Sequence, residues 1–208
     1  MPLQNRVTPF GEIIAHEARG TLMGNRGGRI HDPAKKALTR RRWTSRRWIA
    51  CLTEFKGRRR TVMGEGYTEL FFLDEVTALA AGHRPCFECR RAAARAFFAC
   101  LEPSLSTDDF DRAAHRERLT ESGEKRCFMA PLSGLPDGTM VAIGDRAYAV
   151  RGHQLLEWTP AGYSSALPRS GKGEVAVLTP RVIVGILARG YCPAWHESSG
   201  RLTGDGGS

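Results

Sequence analysis

The stretch Leu70 to Arg91, LFFLDEVTALAAGHRPCFECRR, constrains this chain more than any other. Phe71 and Phe72 are strand formers. Asp74 stands where a helix would begin, and its carboxylate can accept the free amide hydrogens of a first turn. Val76, Leu79 and Ala80 fall on one face of that helix. Gly82 can end it in the left-handed conformation, and Pro85 keeps it from resuming. The chain must then turn sharply and present Cys86 and Cys89 on one small loop. Two thiolates three positions apart can grip one metal ion tetrahedrally. A redox dithiol and two inert buried thiols are the other readings of this spacing.

Two sulfurs make half of a zinc site. Cys51, in the apolar run Ile49 to Leu52, is the first choice for a third ligand. His31, His83, Cys100 and Cys127 compete for the fourth place. His31 sits beside Asp32, whose carboxylate could orient the ring, and Cys100 lies eleven residues beyond Cys89 on an expected helix. The expected set is therefore Cys51, Cys86, Cys89 and His31 around zinc, with Cys100 equal to His31 as the fourth. Three protein ligands plus water are also allowed, and that is the arrangement of catalytic sites.

Six cysteines and no apolar leader at the N-terminus argue for reduced thiols or metal ligands in the cytoplasm, not for a disulfide framework. No window is long and apolar enough for a membrane span, so no membrane partner is expected. The first 60 residues hold 15 Lys and Arg against 4 Asp and Glu, so more than the whole net charge of +9 sits there. Such a patch attracts polyanions, and nucleic acid is the commonest of them. Its densest part, Arg40-Arg41-Arg42-Trp43-Thr44-Ser45-Arg46-Arg47-Trp48, can pair with phosphates and stack on bases, or can anchor both tryptophans in the core. Arg26 and Arg29 flank a glycine-rich loop that permits close approach of a phosphate, and Lys56, Arg58, Arg59 and Arg60 form a basic turn.

Thr61 to Met63 and Tyr67 to Phe72 are expected strands, and Arg90 to Leu101 an expected helix. Residues 103–126 are a helical connector. Gly138 to Val150 holds two alternating runs split by Gly144-Asp145, a hairpin signal. Further strands are expected at Gln154 to Thr159 and Glu174 to Leu178. Thr179-Pro180 then opens a helix that stops at Gly190. The fold class is α+β: a basic region and metal module over 1–102, the connector, a small β-rich part with a terminal helix over 127–196, and a disordered tail over 197–208.

The run Ala80-Ala81-Gly82-His83-Arg84-Pro85-Cys86-Phe87-Glu88-Cys89, with the strand and helix before it, resembles the second half of the Ada-type metal-binding domain. That domain is the zinc module of the bacterial methylphosphotriester-repair regulator. The likeness covers about 25 residues, or about 50 with the preceding hairpin, and implies a small zinc-stapled module that contacts DNA ahead of RNA. In that family four thiolates hold the ion, and one takes a methyl group from a DNA phosphotriester. The first ligand pair there is Cys-x3-Cys, whereas this chain has Cys51 followed by Phe55.

The leading expectation is a zinc-containing nucleic-acid-binding protein. The alternatives are a methyl acceptor working through Cys51 or a metal-dependent nuclease, with His16, Glu17, His31 and Asp32 as candidate groups, and a structural protein with a metal staple.

Overall fold

The computed structural model describes residues 1–58, 61–103, 105–170 and 173–203. The N-terminal half is built on a mixed six-stranded sheet. Its strands are β1 (Gln4–Val7), β2 (Ile13–Ala15), β3 (Leu22–Asn25), β6 (Ile49–Leu52), β7 (Leu70–Phe72) and β8 (Arg84–Pro85), in the order β2-β1-β7-β3-β6-β8. The short pair β4 (His31–Asp32) and β5 (Ala37–Leu38) forms a separate ribbon.

Register decides what this sheet does. Met23 lies opposite both Cys51 and Phe71, while Leu22 lies opposite Phe72, and Gly24 opposite Ala50 and Leu70. Side chains alternate between the faces of a strand. Leu22, Ala50, Leu70 and Phe72 therefore join Val7, Ile13 and Ile30 in one apolar core. Met23, Cys51 and Phe71 meet Cys86 on the opposite face.

Helix α1 (Glu75–Ala80) follows β7 directly. Its cap is the expected one: Asp74 Oδ1 accepts from Thr77 N at 2.9 Å. Gly82 ends it with φ +80°, and a Cβ there would lie 2.4 Å from the Arg118 side chain, so both backbone and space require glycine. All six residues of α1 are buried. Leu73, Val76 and Ala80 pack against the C-terminal sheet, while Leu79 meets Phe97 of α2 (Arg91–Ala99), Phe110 and Ala114 of α3 (Thr107–Arg118), and Ile183 of α4 (Arg181–Ala188).

The C-terminal sheet holds β9 (Phe128–Pro131), β10 (Met140–Ile143), β11 (Arg146–Arg151), β12 (Gln154–Thr159), β13 (Gly162–Pro168) and β14 (Glu174–Val177), all antiparallel, in the order β13-β12-β11-β10-β14-β9. The Gly144-Asp145 hairpin forms as expected, between β10 and β11. The segment after α4 folds back on the start of α1. Tyr191 Oη and Ala194 N donate to Glu75, and Tyr163 Oη and His196 N donate to Asp74.

Three expectations change here. Thr61 to Met63 is a turn, with Met63 at φ +53°, because its amide is turned to Glu69 instead of a strand partner. Strand β13 lies in a stretch for which no element was expected, pairs with β12 and buries Tyr163. The tail is not irregular from residue 197, since α5 (Ser198–Thr203) packs on β13, with Ser198 Oγ accepting from Tyr163 N at 2.8 Å and Ser199 buried. Residues 204–208 lie outside the described residues.

Candidate metal centre

Cys51 reaches the outer face of the N-terminal sheet from β6. Strand β8 runs parallel to β6, with Ile49 opposite Arg84 and Ala50 opposite Pro85. The amide of Cys86 then donates to Ala50 O at 3.0 Å, which carries Cys86 onto the face of Cys51. The tight turn before α2 brings Cys89 back to both. The three sulfurs lie within 4.8 Å of one another, with Cys51 and Cys86 buried and Cys89 half-buried. Leu52 N points at Cys89 Sγ and Glu88 N at Cys86 Sγ, each at 3.4 Å. Backbone donors aimed at sulfur favour thiolates.

Protonation is shared among the three. Cys86 is lowered to about 5, first because Cys51 donates a hydrogen bond to it. Cys51 is pushed up, by that same hydrogen bond and then by burial. Burial also raises Cys89. A bound cation would favour the thiolate form of all three. Three converging sulfurs with N–H···S support fit a soft or borderline divalent ion such as zinc.

His31 does not join them, which corrects the expected fourth ligand. Its Nδ1 bonds Thr68 Oγ1 at 2.6 Å and its Nε2 bonds Gly64 O at 2.8 Å, so both nitrogens are engaged. Asp32 is turned to the amides of Ala34 and Lys35 and does not orient the ring. Among the alternatives, His83 packs between Trp48 and Phe72 with neither nitrogen hydrogen-bonded, and Cys100 Sγ faces Arg189 O. Cys127 is exposed, and His16 Nδ1 accepts from Ala18 N. Among the described residues only Cys51, Cys86 and Cys89 form a metal-ligating group.

A cavity of about 510 Å³ opens over the sulfurs. All three cysteines line it, with Phe55, Tyr67, Glu69, Phe71, Arg19 and Arg58 among the other walls. Beside it runs a wider groove of about 870 Å³ that shares Asn25, Ile49, Cys86 and Glu88. The groove carries Arg46, Arg47 and exposed Phe87, which stacks on Phe98 with ring centres 5.2 Å apart. Arg84 forms its floor, held by Asp111 through two bonds of 2.9 Å.

The basic candidates divide. Arg40, Arg41, Arg42, Arg46 and Arg47 are exposed, as are Arg29, Lys56 and Arg58. Arg29 pairs with Glu65, Arg47 with Asp108, and Arg58 with Glu88. Arg26 is a correction: it is buried, donates to Gly11 O at 2.7 Å and lies 4.1 Å from the centre of the Trp48 ring. Arg118 covers the same ring at 3.7 Å. Trp43 is half-buried against Trp48 and His115, so it anchors the arginine segment. Arg59 and Arg60 lie outside the described residues.

Sequence reasoning missed Glu69 and Tyr67 as site residues. Both lie just before β7, outside any strand, and only the folded cavity brings them to Cys51. No protein-family model matches the chain, and no curated protein and no solved structure does either. No described helix is long and apolar enough to cross a membrane.

Proposed function

We propose that this is a zinc-thiolate protein that binds nucleic acid, holding the ion through Cys51, Cys86 and Cys89 and the phosphate backbone through the arginines beside it. One observation carries the reading: the groove that holds Arg46 and Arg47 shares Cys86 with the cavity over the sulfurs. A strand held by those arginines would bring its bases past the sulfurs. Phe87 offers a stacking surface there, and the exposed Arg40 to Arg42 extend the positive field. The Ada-type resemblance supports the same reading and favours DNA. A centre that needs reduced thiols suits the cytoplasm.

A second reading keeps Cys51 as a methyl acceptor, favoured by its place in the cavity wall. With Phe55 where that family has a thiolate, the centre carries less negative charge and a weaker nucleophile.

Zinc content with a count of coordinating sulfurs, followed by binding of single- and double-stranded DNA and RNA at rising salt, tests the proposal. The expected result is one zinc on three sulfurs and affinity that falls steeply with salt. A metal-loaded protein that ignores all four nucleic acids at low salt would defeat it. Transfer of a labelled methyl group from a methylphosphotriester to Cys51 would move the decision to the second reading.

A further inference from the structure

The cavity over the sulfurs contains a carboxylate that metal binding leaves unused. Glu69 is 4% exposed, lies just before β7 and lines the cavity together with Cys51, Cys86 and Cys89. Met63 N donates to its Oε2 at 2.9 Å. Met63 itself holds φ +53°, a left-handed conformation that strains a non-glycine residue. A strained turn thus fixes the carboxylate in the wall. Glu54 and Glu88 also reach the cavity, but both are exposed and Glu88 is paired with Arg58 at 2.5 Å. Glu69 lies outside the ligating group.

Three thiolates on a divalent ion leave the centre with net negative charge, and Glu69 adds to it. Such a centre repels a phosphate oxygen but accepts a neutral electrophile. Phe55, Tyr67 and Phe71 give the cavity an aromatic side beside charged walls such as Arg19 and Arg58, and it is of the size that holds a small organic ligand.

The geometry points to hydrolytic deamination of an amino-substituted nucleobase in this cavity, a reaction that rests on the metal and nucleic-acid reading above. Zinc deaminases use the same chemical set: cysteine ligands that include a Pro-Cys-x-x-Cys pair, and a glutamate that does not ligate. Here Pro85-Cys86-Phe87-Glu88-Cys89 stands just before α2. The His-x-Glu half of that pattern occurs only as His115-Arg116-Glu117, where His115 packs on Trp43 and Glu117 accepts from Val182 N. Cys51 and Glu69 supply the third ligand and the carboxylate from separate stretches.

The bound ion would supply one thing, a lower pKa for a nearby water. Glu69 would take one proton from the attacking water as its oxygen bonds to the ring carbon bearing the amine, and pass that proton to the ring nitrogen. The remaining hydroxyl proton would pass through Glu69 to the amine, the C–N bond would break with its electron pair on nitrogen, and ammonia would leave. Water and the amino base give a carbonyl base and ammonia, with no oxidant or reductant.

The test uses full-length zinc-loaded protein with single-stranded DNA whose only amino base is cytosine or adenine, and with the free nucleosides. Ammonia release with an amine-to-carbonyl mass change is expected from at least one, and Glu69→Gln slows it by about 100-fold or more with zinc content unchanged. A second readout needs no turnover. The visible bands of the cobalt-substituted protein shift on adding a 2-pyrimidinone or purine nucleoside, which lack the amine, and Glu69→Gln weakens the shift. A zinc-loaded protein that releases no ammonia and whose cobalt bands stay fixed overturns deamination while leaving the metal reading standing. Equal turnover by Glu69→Gln overturns the assignment of Glu69. A protein that takes up no metal overturns both.

Discussion

Phe71 and Phe72 are neighbours in the chain and share almost nothing else. Phe72 lies in the apolar core with Leu22, Ala50 and Leu70, against the buried His83 ring. Phe71 lies on the other face, beside Cys51, Cys86 and the open cavity, with the Arg6 guanidinium 5.0 Å from its ring centre. One sheet therefore separates two jobs by strand alternation alone. The core face needs complementary shapes, because any gap there forfeits contacts on all sides. The outer face tolerates polar and reactive groups, because the cavity leaves them room and solvent. Keeping chemistry and stability on opposite faces lets either be changed with little effect on the other.

That separation can be broken from both sides. The largest expected effect is on metal content: Cys51→Ser or Cys86→Ser should lower zinc from one per chain to none, by elemental analysis, with the circular dichroism unchanged. Cys100→Ser and Cys127→Ser should keep the metal. If either removed it, the outer-face assignment would fail. On the core face, Phe72→Ala should cost about 3–5 kcal/mol in urea unfolding, while Phe71→Ala costs about half of that or less, since its ring borders a cavity. Equal losses would show that the faces are not energetically distinct.

Acid sharpens the contrast further. Burial holds His83 well below the ordinary histidine range, with Arg26 and Arg118 adding to it. Its unfolded counterpart binds a proton below about pH 6.5, while the folded one does not, so stability falls as pH falls. His83 contributes about 1.4 kcal/mol per pH unit below that point. His83→Phe should lower the slope by that amount. A variant with an unchanged slope would locate the acid sensitivity elsewhere, with His115, lowered to about 4 by burial and by Arg118, as the next group to change. The smallest effect on folding belongs to the groove. Arg46→Ala with Arg47→Ala should move stability by less than about 1 kcal/mol, because the Arg47–Asp108 pair is exposed. The same change should reduce the salt slope of nucleic-acid binding by about two. An unchanged slope would remove these arginines from the interface.

The local frame of the site was legible residue by residue. Asp74 caps, Gly82 turns and Pro85 stops because those preferences are written in single side chains and backbone angles. Cys86 and Cys89 were legible for the same reason, being three positions apart in a forced turn. His31 and Arg26 were misplaced because their partners are distant in sequence: Thr68 and Gly64 hold one, and Gly11 and Trp48 hold the other. The arginine segment announced its charge, but which arginines face outward depends on where Trp43 and Trp48 insert.

By itself, then, the chain determines the strand, cap, helix and knuckle from Leu70 to Arg91, the basic N-terminal third and the Gly144-Asp145 hairpin. These follow from neighbours a few residues apart. Tertiary structure alone decides that Cys51, the first choice for a third ligand, reaches Cys86 and Cys89, that Glu69 shares its cavity, and that Phe71 and Phe72 part company. Strand register parts the two faces, and a slip of one residue would exchange them.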